Sequence, residues 1–115
     1  MKALNLLPLD LEQRAATQNV ISYNKLAREY GLPKVTPETF HGHPFCSAFG
    51  VMDREDIAQG RPLRTAVVFS EVLNRPGNGF FEILAERRGQ SISESRRMEE
   101  WTAELKHLEQ YYSRR

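Results

Sequence analysis

The sequence predicts an α+β domain that is mostly helical, with a small sheet and a long C-terminal helix. Three observations predict it. A run of β-favouring residues at 65–69 is bracketed by Pro62 and by the turn string Asn74-Arg-Pro-Gly-Asn-Gly79. Segments of helical spacing, each with cap or stop residues, lie on both sides of that run. Near the end of the chain, Met98, Trp101, Leu105, Leu108 and Tyr112 recur at spacings of three and four, an apolar seam typical of one helix face.

The length of 115 residues fits one domain, 1–115, with a single core. A formal net charge of +1 gives no global attraction to nucleic acid, membrane or acidic substrates, so any basic site must be local. The single cysteine, Cys46, excludes an internal disulfide and fits a reducing compartment. No window approaches the roughly 20 apolar residues that span a bilayer. The opening Met1-Lys-Ala-Leu-Asn-Leu-Leu-Pro8 is a poor signal peptide, and a cytoplasmic location is expected.

In chain order, residues 9–17 read as a first helix, with Leu11 and Ala15 four apart and Asp10 and Glu12 near its start. Val20-Ile21 offers a short extended piece. Ser22 is an N-cap for a helix over 23–30, where Tyr23, Leu26, Ala27 and Tyr30 share one face, and Gly31 and Pro33 stop it. Thr36-Pro37 opens another turn, which Gly42 and Pro44 interrupt. Residues 45–52 fit either a helix or a buried strand. Asp53 then caps a short turn over 54–59 that ends at Gly60. The strand at 65–69 and the loop 74–79 lead into a helix from Phe80 to the stop Gly89, and Ser91 or Ser93 caps the final helix over 91–113.

That order of elements is winged-helix-like over residues 20–89. The string Ile21-Ser-Tyr-Asn-Lys-Leu-Ala-Arg-Glu-Tyr-Gly-Leu-Pro33 resembles the start of the DNA-binding half of the alkylguanine-DNA alkyltransferases and alkyltransferase-like proteins. The later Arg61-Pro-Leu … Val67-Val68, a glycine loop and Phe80-Phe-Glu-Ile-Leu-Ala-Glu-Arg-Arg-Gly89 are similar in order to that family's strand, wing and closing helix. Val68-Phe-Ser-Glu-Val72 stands where the family keeps its reactive cysteine, and Ser47-Ala-Phe-Gly50 where it keeps the arginine that enters the base stack. The resemblance therefore implies a scaffold without alkyl transfer or base flipping. The chain is also similar to small bacterial and phage proteins sharing the Ile-Ser/Thr-Tyr-x-x-Leu-Ala start and a Pro-Gly-x-Gly-Phe-Phe stretch, which bring no activity with them.

These readings lead to a non-enzymatic module that binds nucleic acid, DNA above all, as an accessory or regulatory protein. In a winged helix the second helix of the pair lies in the major groove and the wing touches phosphates. Lys34, Thr36, Thr39, His41 and His43 would then line the turn and the next helix start, with Arg75 and Asn78 on the wing and Arg64 a further contact. The pairs Arg87-Arg88, Arg96-Arg97 and Arg114-Arg115 are solvated surface by default. The alternative is a protein-interaction module or homodimer of the same fold, joined through the seam of Met98, Trp101, Leu105, Leu108 and Tyr112; the same seam equally fits an internal core. His41-x-His43-x-x-Cys46 has metal-like ligands but no fourth one in sequence, and no metal or cofactor is assigned. Cys46 with either histidine is a distant enzymatic alternative. Pro76-Gly-Asn-Gly79 reads as an anion-ready helix start or as a plain wing tip.

Overall fold

Ser22 determines how the N-terminal half is arranged. Its backbone is extended and its hydroxyl accepts from Lys25 N at 3.2 Å, capping helix α2 (Tyr23–Glu29) as its sequence position predicts. The structure, a computed structural model, describes residues 1–113; Arg114-Arg115 lie outside the described residues. Helix α1 (Leu7–Thr17) precedes α2 and is entered through a 3-10 turn at Leu4–Leu6, with Pro8 in its first turn. Between them, strand β1 (Ile21–Ser22) pairs in parallel with β2 (Val68–Phe69), Ile21 opposite Val68 and Ser22 opposite Phe69. Gly31 ends α2 in the left-handed region at φ 65°, and Leu32 N then reaches back to Ala27 O at 2.9 Å.

Residues 45–52, readable as helix or strand, belong to one continuous helix, α3 (Pro44–Ala58). Asp53 is not a cap. It sits inside α3 on the buried face, one turn from Phe49 and three residues before Asp56. The helix start is instead capped by His43, whose Nδ1 accepts from Phe45 N at 3.1 Å. Ahead of it, Thr36 and Thr39 fix a turn by exchanging bonds, each hydroxyl accepting the other's backbone N–H at 3.1–3.2 Å.

The strand expected over 65–69 is shorter. Only Val68–Phe69 pair, while Arg64–Val67 form a fully buried 3-10 turn packed against α1, α3 and the final helix, α5 (Arg97–Tyr112). Helix α4 (Asn78–Arg88) supplies Phe80, Phe81 and Leu84 to the core and stops at Gly89, φ 72°. A 3-10 turn at Glu94–Arg96 leads into α5, which starts after both serines proposed as its cap; Ser93 flanks that turn without a side-chain cap bond.

The apolar seam of α5 faces inward. Trp101, Leu108 and Tyr112 are buried, Leu105 is partly so, and α5 lies along α1. Of the seam, Met98 alone is largely exposed, at 53%. The seam therefore builds the domain's own core, and its apolar surface is already covered. No helix among the described residues is long and apolar enough to cross a membrane.

Candidate nucleic-acid interface

The centre of the molecule is ionic as well as apolar. Asp56 is fully buried in α3, accepts Arg64 N at 3.0 Å and pairs with the guanidinium of Arg64 and with Arg61 Nε at 3.0 Å. Arg64, 3% exposed, also donates to Glu12 and Glu55, each at 3.0 Å. Its acid neighbours take all three guanidinium nitrogens, so Arg64 holds the fold together and presents nothing to a phosphate. Arg64, expected among the nucleic-acid contacts, is turned inward by the 3-10 turn. Beside it, Thr65 Oγ1 donates to Asp53 Oδ1 at 2.7 Å. Burial pushes the Asp53 carboxyl up to about 6, against the downward pull of the Thr65 bond.

A second buried acid, Glu104 of α5, accepts Leu63 N at 2.8 Å and Arg88 at 3.1 Å, while Trp101 Nε1 donates to Ala66 O at 2.8 Å. Arg87 Nε donates to Arg61 O at 2.9 Å. Backbone groups of residues 61–66, which no regular ladder satisfies, are thus captured by side chains from α3, α4 and α5.

Most other cations are also engaged. Lys2 and Arg14 pair with Asp10 and Glu29, and Arg88 and Arg96 with Glu100. Burial acts to raise Asp10, but bonds from Tyr30 and Lys2 outweigh it and hold the carboxyl below its ordinary value. Arg75 and Arg97 lie over the ring of Phe81, at 5.6 and 5.2 Å from its centre. Arg75 also donates to Pro76 O at 2.8 Å, and Arg97 to Asn78 Oδ1 at 2.6 Å. The two residues assigned to the wing, Arg75 and Asn78, are therefore tied to their own domain. Among the described residues this leaves Lys25, Arg28, Lys34, Arg54 and Lys106 with neither an ion pair, a side-chain hydrogen bond nor a ring contact.

Three of those cations converge. Lys25 lines an open groove of about 400 Å³ with Arg14, Ser22, Glu29, Phe69 and Glu71. Arg28 and Lys34 line the adjoining groove of about 610 Å³, whose walls include Asn24, Ala27, Leu32, Val35, Thr36 and Val72. Glu71 lies on the ridge that both grooves share. That ridge is the loop after β2, closed by an antiparallel bridge between Ser70 and Arg75, with Asn74 at φ 55° and Val72 89% exposed at its tip.

Of the residues expected to touch nucleic acid, Lys34 and Thr36 meet at this groove. Thr39 and His41 are exposed on the turn beyond it, with the Thr39 hydroxyl already bonded to Thr36. His43 is buried. Its Nδ1 caps α3 and its Nε2 donates to Pro33 O at 2.8 Å, so both ring nitrogens serve the fold and none is left for a base edge. Lys25 and Arg28 were missed. They stand at i, i+3 on the polar side of α2, opposite the apolar face of Leu26, Ala27 and Tyr30, and that spacing was the available signal.

No group of three His, Cys, Asp or Glu side chains among the described residues is placed to hold a metal ion. Comparison of this chain with family models, with curated proteins and with solved structures finds no match.

Proposed function

We propose that the chain is a non-enzymatic module that binds nucleic acid through the two grooves beside α2. Its scaffold on this reading is winged-helix-like, with α2 and α3 as the helix pair and residues 70–75 as a short wing. One observation carries the proposal. In a nearly neutral molecule with half of its described lysines and arginines ion-paired, Lys25, Arg28 and Lys34 have no acid partner among the described residues and line adjoining grooves. Together with Arg14 they outnumber Glu29 and Glu71 in the lining by four to two, and an excess of positive charge around a concavity concentrates field toward an anion. A reducing, cytoplasmic setting fits the free thiol of Cys46.

A second reading, a protein-interaction module of the same fold, is favoured by the exposed Val72 and Leu73 at the loop tip. Fluorescence anisotropy with labelled oligonucleotides separates the two. On the first reading Lys25→Ala/Arg28→Ala/Lys34→Ala abolishes binding, while the loop-tip variant Leu73→Ser, outside the lining of both grooves, leaves it intact. Absence of binding by the wild-type chain to any oligonucleotide, together with a concentration-dependent mass that the loop-tip variant abolishes, establishes the second.

A further inference from the structure

We infer that the larger groove takes a single-stranded segment, with one unstacked base seated over Leu32 and Val35, and that duplex is a poor ligand. This inference rests on the nucleic-acid reading above and names the form of the ligand.

The first ground is shape. A duplex is read by something that protrudes into its groove, a helix or a wing. The exposed face of α3 carries Ser47, Val51 and Arg54, a single cation, and the loop tip carries Glu71 and Val72, an acid and an apolar side chain. Neither protrusion suits a phosphate backbone. Three of the unpaired cations, Lys25, Arg28 and Lys34, lie instead around concave surface, which a single flexible strand can follow.

The second ground is the lining. The groove's volume of about 610 Å³ falls within the roughly 300–1,000 Å³ of small-molecule pockets. Leu32 and Val35 give it apolar surface that a base face can cover, while Arg28 and Lys34 supply charge for the attached backbone. Asn24 adds direction. Its Oδ1 accepts Val35 N at 2.7 Å, which fixes the amide orientation and leaves Nδ2 as a donor toward acceptor atoms of a base edge. Glu71, on the ridge, is the one acid in the lining and provides the matching acceptor for a base amino group. Seating a base face over Leu32 and Val35 needs an unstacked base, because in a duplex both faces of a base are stacked on its neighbours.

The test uses the full chain and a labelled mixed-sequence strand of about 12 nucleotides, alone and annealed to its complement. The single strand is expected to bind about fivefold or more tightly than the duplex, the lower end of what seating one base is worth. Val35→Glu is expected to remove the preference; Arg28→Glu/Lys34→Glu, on exposed positions, is expected to remove binding with the circular dichroism spectrum unchanged. Duplex binding equal to or tighter than single-strand binding overturns this inference and leaves the nucleic-acid reading standing. Binding of neither strand form overturns both.

Discussion

Glu104 Oε2 accepts a hydrogen bond from the backbone N–H of Leu63 at 2.8 Å, joining the last helix to a segment 41 residues earlier. The same carboxylate takes Arg88 and stands 3.7 Å from Arg87, with none of its side chain exposed. Replacing Glu104 by Ala strands the Leu63 N–H and takes one acid from Arg87 and Arg88, which keep Arg61 O and Glu100, and is expected to cost about 1–3 kcal/mol, the usual penalty for a buried donor left unsatisfied. Glu104→Gln keeps the acceptor for Leu63 and is expected to cost less. The midpoints of urea unfolding curves, compared at a common slope, give both values.

Asp53 carries a pH dependence of defined sign. Its folded value of about 6 lies above the ordinary 3.8, so the folded state holds the proton more tightly than the unfolded chain. Its favourable contribution is complete below about pH 4 and is lost as pH rises through about 6, amounting to about 3 kcal/mol for a shift of this size. Asp53→Asn keeps an oxygen for the Thr65 hydroxyl and removes the buried charge. The variant is expected to equal the wild type near pH 4 and to exceed it above pH 7, by up to that amount. A difference that does not change with pH, in denaturation series at the two ends, would show that Asp53 is not the group responsible.

His43 and His41 are expected to separate cleanly. His43→Ala removes the cap of α3 and the bond to Pro33 O, with an expected loss of about 1–2 kcal/mol. His41→Ala, at an exposed position, is expected to stay within about 0.5 kcal/mol of the wild type. Thermal unfolding of the two variants side by side checks the contrast.

Glu71 opposes the anion on the ridge between the grooves. Glu71→Gln keeps an acceptor and removes a like charge, and is expected to tighten oligonucleotide binding about two- to fivefold, the range for one exposed charge. The effect is expected to shrink as salt is added. Titrations at two salt concentrations show it, and weaker binding by the variant would place the nucleic acid elsewhere.

Local signals in the sequence carried the elements that local chemistry decides. Ser22 and Gly31 bound α2, and Gly89 ends α4, because a hydroxyl cap and a left-handed glycine act within a few residues. Residues 65–67, expected as strand, form a 3-10 turn for the opposite reason. Thr65, Val67 and Val68 favour a strand locally, yet Asp56 and Glu104 capture the backbone N–H groups of Arg64 and Leu63 from distant helices. Asp53 looked like a cap because nothing nearby reveals that Thr65 will meet it inside the core. At the candidate site, Lys34 and Thr36 were legible as polar loop residues, while the roles of Arg64 and His43 depended on burial that only the packed chain defines. Lys25 and Arg28 become distinctive only when the pairing of the other cations is known.

The salt dependence of oligonucleotide binding tests the central claim most directly. If Lys25, Arg28 and Lys34 each neutralise one phosphate, the slope of log K against log salt is about −2.1 on a single strand, at about 0.7 per contact. Removing any one of the three should make the slope shallower by about 0.7. A wild-type slope near zero, or a slope unchanged by all three substitutions, contradicts the assignment of this surface to nucleic acid.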